Sequence, residues 1–300
     1  MLFWRINEEE RLINTGEVPL VGWDINKEHY KIPDEYLKNE NFLIFRTCHG
    51  FGDWAIISAM PYLLKKKYPN CKVYLPSPTL IKNIFGPALE QWSSWHEPER
   101  NVERVFANNP YIDGYVDKLE GEVYHDHYRL FNPDNWNVPL VKQMLYFWGF
   151  GENELRNEDT SPMLFWSESE IKQGNEIIYE NFSDTGGKFN SLHLSHRFKA
   201  TNKEHVEKLE KLLIKNNWYP YMYQLPFNIE DTRFKDCGDF VFYNDIKDPR
   251  VQLYLRSRAV INIGYQSGAL DAICRYSNVY MIPLKEDFRD GNYQEQINYI

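Results

Sequence analysis

The sequence has no C-x-x-C pair and no cysteines at metal-ligand spacing; its four cysteines, Cys48, Cys71, Cys237 and Cys274, are scattered. That argues against a disulfide framework or a zinc site and predicts free thiols in a reducing compartment. Basic charge is also short. With 34 Lys and Arg against 43 Asp and Glu, the formal net charge is −9 and the pI about 5.5. A general nucleic-acid binder needs a basic surface to displace counterions from phosphates, so no nucleic acid is expected as a partner. Long apolar runs are missing too. The opening "MLFW" meets Arg5 and an acidic run at once, far short of a signal-peptide core or of the roughly 20 apolar residues that span a bilayer. A cytoplasmic chain with at most peripheral membrane contact is expected. There is no internal repeat and no low-complexity tract.

What is present suits a globular α/β protein. A length of 300 residues with 43% hydrophobic and 26% charged residues allows one or two domains with a sizeable core. The 9 Trp, 21 Tyr and 18 Phe could stack on sugars or bases, but most are expected in cores, given the area each buries.

Residues 1–40 are polar and irregular, with a possible hairpin in "LINTGEVPLVGW", and form an extension on the first domain. From Phe42 the pattern changes. "FLIFR" reads as a strand, Ile56, Met60, Leu63 and Leu64 recur at helical spacing as one helix, and "CKVYLPSP" is a second strand. A strand-helix-strand unit implies parallel pairing through a right-handed crossover. "NNPYIDGYV" adds a turn and an apolar run, "EVYHDHYRL" alternates as a strand would, and "LVKQMLYFWGFG" reads as a helix closed by Gly149 or Gly151. The polar "RNEDTSP" suggests a linker, so the domains are expected at 41–160 and 161–300.

The second half repeats this order. A helix at about 167–182 and a "TGG" turn precede the buried strand "SLHLS". "ATNKEHVEKLEKLLIKNNW", residues 200–218, reads as an amphipathic helix, started by Thr201 with Glu204 as a capping box. "YPYMYQL" and "FVFYN" are strands, "DPRVQLYLRSR" a helix, "AVINIG" a strand, "ALDAICRY" a helix and "NVYMIPL" a strand. The implied architecture is α/β, two Rossmann-like domains facing each other across a cleft.

Ligands of such sheets bind at the carboxyl ends of the strands. After "AVINIG", the turn "GYQSGALDA" offers Gly264 and Gly268 for close backbone approach, the Ser267 hydroxyl, and the N–H groups of Ser267, Gly268 and Ala269 at a helix start, where an anion is stabilised. A plain helix cap by Ser267 reads equally from the same residues. After "SLHLS", Ser195, His196, Arg197 and Lys199 stand at the domain mouth, where fixed cations could neutralise a diphosphate; a solvated basic loop is the plainer account.

The turn "GFGDWA" matches G-x-G-x-x-A, a dinucleotide fingerprint. Asp53 inside it would repel a pyrophosphate, and "LPSP" ends the next strand with no acidic residue for a ribose. An NAD(P) site is therefore the weaker reading. Asp53 could instead be a general base whose ionised form the helix start favours, or a helix cap, and His49 could play the same chemical part. "YHDHY" places His125 and His127 on one strand face, as two metal ligands would need. No third ligand is identifiable, so metal: none is the expectation, and hydrogen bonding to a hydroxyl-rich acceptor the alternative.

Taken in order, these motifs resemble a GT-B glycosyltransferase, in particular glycosyltransferase family 9, the heptosyltransferase-like enzymes. The resemblance is carried by "RTCHGFGDWAIISAMPYLLKKKYPNCKVYL", the Asn-Pro-x-x-Asp of "NNPYIDGYV", the "SLHLS" loop and "LYLRSRAVINIGYQSGALDAI", and extends from about Phe42 to Leu284. The family commonly has Asp-Ser-Gly-x-x-His where this chain has Gln266, Ser267, Gly268 and Asp271.

The resemblance implies transfer of a sugar from a nucleotide-diphosphate sugar to a hydroxyl of a glycan or lipid-linked acceptor, inverting, with no cofactor and no metal. Asp53 would deprotonate the acceptor, with His49, Gly52, His125 and His127 around it. Ser195, Arg197, Lys199, Gln266, Ser267, Gly268, Ala269 and Asp271 would hold the departing diphosphate. A non-catalytic nucleotide- or glycan-binding relative remains the other class.

Overall fold

The computed structural model describes residues 37–38, 41–46, 49–86, 89, 97–119, 141–142, 145, 148–193, 221–224, 240–242, 246–265, 267–282 and 297–299. The chain divides between Leu164 and Phe165 into two compact units, each with its own parallel sheet. The expected hairpin, the alternating "EVYHDHYRL" strand and the helix at 200–218 lie outside the described residues.

In the first unit, β1 (Asn41–Leu43), β2 (Lys72–Pro76) and β3 (Gly114–Val116) pair in parallel in the order β1-β2-β3. The apolar run extends the first pairing by one bond, from Ile44 N–H to the Tyr74 carbonyl at 3.0 Å. Phe42, Leu43, Ile44, Phe45, Val73 and Leu75 are all buried, as a parallel strand covered on both faces requires.

Helices α1 (Phe51–Ile56) and α2 (Met60–Lys67) fill the stretch expected as one helix. Pro61 breaks it, because it has no N–H to continue the ladder. The join tightens into i→i−3 bonds, Ser58 N–H to Ala55 O at 3.0 Å and Met60 N–H to Ile57 O at 2.9 Å. Ser58 stabilises the bend further: its hydroxyl donates to Ala55 O at 2.7 Å and accepts from the Met163 N–H at 2.9 Å.

Helices α3 (Pro78–Phe85), capped by Ser77, and α4 (Asn101–Phe106) complete the layers around this sheet, and α5 (Glu152–Asn157) follows. The Asn-Pro-x-x-Asp element works as a clamp. Asn109 Oδ1 accepts the Tyr111 N–H at 2.9 Å, closing the turn, and Asp113 then accepts from Val73 N–H at 2.8 Å while its own N–H donates to Val73 O at 2.8 Å. Lys65 of α2 meets the same carboxylate at 2.6 Å, so one acidic residue ties β2, the start of β3 and a helix together. Gly149 takes the positive φ (82°) expected of a helix-closing glycine.

The second unit has six described strands, all parallel: β4 (Asn190–His193), β5 (Tyr221–Gln224), β6 (Phe240–Phe242), β7 (Ile261–Tyr265), β8 (Asn278–Ile282) and β9 (Ile297–Tyr299). Their order is β6-β5-β4-β7-β8-β9, which counted within the unit is 3-2-1-4-5-6, the doubly wound order of dinucleotide-binding sheets. Strand β9 is an addition to the sequence reading. At three residues it is too short to announce itself by alternation.

Helices α6 (Glu168–Phe182), α7 (Pro249–Arg258) and α8 (Gly268–Ile273) accompany this sheet. α6 and α7 pack closely because Gly174 has no side chain: a Cβ there would fall 2.2 Å from the Tyr254 ring. Their starts are joined by Arg250, which forks onto Glu170 and also donates to the Phe165 carbonyl. Cys71 and Cys274 are buried thiols, and no helix among the described residues is long and apolar enough to cross a membrane.

Candidate functional site

The candidate residues that the structure describes stand after two strands, one in each unit. In the first unit the chain leaves β1 through Phe45 and Arg46, both buried to 1%, and re-enters a helix at Gly50, whose extended φ and ψ (−60°, 151°) make it the N-cap of α1. Glycine offers no side-chain acceptor to the helix start. Asp53 compensates from inside the first turn: its Oδ2 accepts the Gly50 N–H at 3.0 Å, half of a capping box. The cap reading of Asp53 is therefore real for one oxygen. Asp53 and Gly52 are half-buried.

His49 stands just before that cap and is fully shut in. Its ring lies 4.2 Å from the Phe85 ring and 5.7 Å from Trp54, centroid to centroid, and its carbonyl accepts the Asn101 Nδ2–H at 2.9 Å. Neither ring nitrogen has a hydrogen-bond partner among the described residues. Burial, helped by the neighbouring Arg46 cation, lowers its pKa from 6.5 to about 3, because a charged imidazole would lose its hydration there.

The same burial acts on Asp53 with the opposite sign. Desolvation raises its pKa above the ordinary 3.8, while Arg46 and the Gly50 N–H pull it partly back. Of the two proton acceptors in this turn, His49 is held neutral near pH 7, and burial raises the proton affinity of Asp53. Arg46 has no role in the sequence reading. The available signal was a cation ending the apolar run "FLIFR", and the structure buries it.

In the second unit, β4 and β7 are sheet neighbours at which the strand order reverses, so their carboxyl ends form the crevice where ligands of doubly wound sheets bind. His193 ends β4 and Tyr265 ends β7. Their cross-strand spacing explains Gly264. It faces His193 in register, and a Cβ on it would fall 2.0 Å from the His193 carbonyl oxygen. The missing Cβ of this glycine therefore makes room for the neighbouring strand.

Past β7, Ser267 caps α8: its hydroxyl accepts the Leu270 N–H at 3.4 Å, and its carbonyl accepts from Leu270 and Asp271 at 3.0 and 3.1 Å. Gly268 and Ala269 occupy the first two helical positions, whose N–H groups have no acceptor inside a helix. Asp271 is buried to 5%. Ser195, Arg197, Lys199 and Gln266, which belong to the loops leaving β4 and β7, lie outside the described residues, as do His125 and His127. No three His, Cys, Asp or Glu residues are grouped as a metal site among the described residues.

No protein-family model matches the chain, and no curated protein matches its sequence. Solved structures do match. The glycosyl transferase family 9 structure from Veillonella parvula superposes with a TM-score of 0.55 over 87% of this chain and 85% of its own, at 12% identity. The fold is that of a family 9 glycosyltransferase. ADP-heptose LPS heptosyltransferase II from E. coli, at a TM-score of 0.47, covers 87% of this chain and 89% of its own, also at 12% identity. At 12% identity the likeness to the Veillonella structure is one of fold, two Rossmann-like domains.

Proposed function

We propose that the chain is a glycosyltransferase that moves a sugar from a nucleotide-diphosphate sugar to a hydroxyl of a glycan or related acceptor, with inversion and without a metal. The observation that carries this reading is Asp53: a half-buried carboxylate with raised proton affinity at the end of a parallel strand, beside a histidine held neutral. A phosphate-binding turn gains nothing from an acid there, whereas a turn that receives a hydroxyl gains a base.

In the proposed step the acceptor oxygen attacks the anomeric carbon and forms the new glycosidic bond. The bond from that carbon to the diphosphate breaks, the nucleoside diphosphate leaves with the electron pair, and Asp53 takes the acceptor proton. Gly52 lines the turn, His125 and His127 contact the acceptor, and His49 supports the turn from beneath. In the second unit, Arg197, Lys199, Ser195, Gln266 and the Gly268 and Ala269 amides would bind the diphosphate, where charge develops on the leaving group. The Ser267 hydroxyl is engaged as a cap, and buried Asp271 acts from under the helix start. The likeness in fold to a family 9 glycosyl transferase supports the class of reaction and leaves the sugar and base of this chain to experiment.

A thermal-shift screen of ADP, UDP, GDP, CDP, NAD⁺ and NADP⁺ tests the reading. One nucleoside diphosphate is expected to raise the melting temperature and thereby name the donor base. Stabilisation by NAD⁺ or NADP⁺ alone would replace the proposal with a nicotinamide enzyme. Nucleotide binding without turnover on any acceptor offered would reduce it to a non-catalytic relative.

A further inference from the structure

One peptide unit in the turn after β1 is held from both sides. Its oxygen, the His49 carbonyl, accepts from Asn101 Nδ2 at 2.9 Å, and its nitrogen, the Gly50 amide, donates to Asp53 Oδ2 at 3.0 Å. Asn101, the first residue of α4, is thereby joined to the Asp53 carboxylate through a single rigid plane, since the C–N bond between those two contacts does not turn. The link is electronic as well: an amide whose oxygen accepts a hydrogen bond donates more strongly through its nitrogen. Glycine at position 50 brings no side chain to restrain the plane, so restraint from outside has an effect.

Asn101 is itself fixed. It is fully buried, and both ends of its amide are engaged: Oδ1 accepts from Arg104 Nη1 at 3.1 Å, and the same Nη1 donates to Glu97 O at 3.0 Å. That contact turns the nitrogen of the amide toward the turn, where a donor suits the His49 carbonyl and an oxygen would repel it. Helix α4 packs on α1, with the Phe106 ring edge-on to Trp54 at 6.2 Å. An aliphatic side chain of the same size could fill this place without the cost of burying an amide. What the amide adds is direction on the His49–Gly50 peptide.

We propose that Asn101 is a positioning residue for Asp53: acting through the His49–Gly50 peptide, it aims the carboxylate so that the oxygen not used by Gly50 is presented to the acceptor hydroxyl. The inference rests on the reading of Asp53 as the base. Asn101 touches no substrate.

The test is a pH titration by nitrogen-15 NMR of the full-length protein, following the Gly50 amide and the Asn101 Nδ2 protons in the wild type and in Asp53→Asn. Both signals are expected to share one midpoint in the wild type, and that component should vanish from both in the variant. Other charges lie along the path, Arg46 beside the turn and Glu97, Glu99, Arg100 and Glu103 around Arg104. Asp53→Asn removes the contribution of Asp53 alone and leaves theirs in the comparison. An Asn101 signal that ignores the Asp53 midpoint overturns the proposal.

Transfer kinetics give a second reading. Asn101→Leu removes the donor at nearly constant volume. It is expected to lower kcat roughly tenfold in the wild type with the donor KM unchanged, and by less than about twofold in Asp53→Asn, because members of one hydrogen-bond network are not additive. A merely structural asparagine would cost the same factor in both backgrounds, and that result also overturns the proposal. Should Asn101→Leu not fold, the titration decides alone, since it needs only the wild type and Asp53→Asn. Failure of the base reading looks different: Asp53→Asn would keep full turnover while the Gly50 and Asn101 signals of the wild type still share their midpoint.

Discussion

Gly264 faces His193 across the β4–β7 pair so closely that a single added methyl would sit 2.0 Å from the His193 carbonyl oxygen and 2.8 Å from its Cβ. Both atoms belong to the rigid part of a buried strand, so neither can swing aside as a long side chain would. The two strands at the switch point of the second unit are thus set together by the absence of a side chain.

Gly264→Ala should therefore destabilise the second unit, although alanine is normally a better strand residue than glycine. Relief requires the strands to part by an ångström or more, and overpacking of this kind costs about 1–3 kcal/mol. Urea unfolding should show a lower midpoint, and any nucleotide-induced rise in melting temperature should shrink with it. An unchanged midpoint would show that the sheet yields there at no cost.

The clamp at Asp113 makes a more selective prediction. Burial opposes its ionisation, but Lys65, the Val73 N–H and Lys72 outweigh that and bring its pKa below the ordinary value. The ion pairs are partly solvated, with Lys72 58% exposed, and pairs of that kind contribute about 1 kcal/mol at most. The bond from Val73 N–H, in contrast, satisfies an amide of the sheet. Asp113→Ala should cost about 1–3 kcal/mol, and Asp113→Asn, which keeps an acceptor for Val73, should recover most of it. Since the native pKa is depressed, the charged pairs stabilise above the unfolded value and lose that effect as pH falls through the native one. The acid slope of stability should accordingly be shallower in Asp113→Asn.

Much of this was legible in the residues. The apolar runs at "AVINIG" and "NVYMIPL" became β7 and β8, and the helix expected at about 167–182 became α6. The Gly-Asp turn also stands where the sequence placed it, between a strand and a helix. Three features were hidden for physical reasons. The break at Pro61 sits inside an unbroken helical spacing of apolar residues, because α1 and α2 bury the same side. Gly264 looks like a ligand-facing glycine, and only the neighbouring strand shows what its missing Cβ makes room for. Arg46 reads as an ordinary exposed cation until the strand is seen to end in the interior. Pattern reports which face is apolar, whereas these three depend on what lies opposite.

His49 and Asp53 should give stability a pH dependence of opposite sign. His49 has a native pKa near 3 against 6.5 when exposed, so its contribution is complete above about pH 6.5 and is lost as pH falls toward 3, where the unfolded chain binds the extra proton. Asp53, with its native pKa raised above 3.8, contributes below the unfolded value and loses that contribution as pH rises through the native one. His49→Leu isolates the first effect. The ring nitrogens have no hydrogen-bond partner among the described residues, so an apolar replacement between Phe85 and Trp54 should be near neutral or stabilising at pH 7. Melting curves between pH 3.5 and 7 should then fall less steeply than those of the wild type, and an identical slope would show that His49 is not held neutral.

Asp53→Asn separates chemistry from folding. Asparagine keeps an oxygen for the Gly50 N–H, so the N-terminal turn of α1 and the melting temperature at pH 7 should change little, and burying a neutral amide is easier than burying a carboxylate. It cannot take a proton. If Asp53 is the base, kcat should fall by about 10² to 10⁴, the usual worth of general base catalysis. Donor binding, assigned to the second unit, should persist, so the nucleoside diphosphate that stabilises the wild type should stabilise the variant equally. Equal loss of stabilisation and turnover would place Asp53 in donor binding instead. Full turnover in the variant would move the proton-accepting role to another group or to the substrate itself, and Asp53 would then be only the cap that its bond to Gly50 makes it.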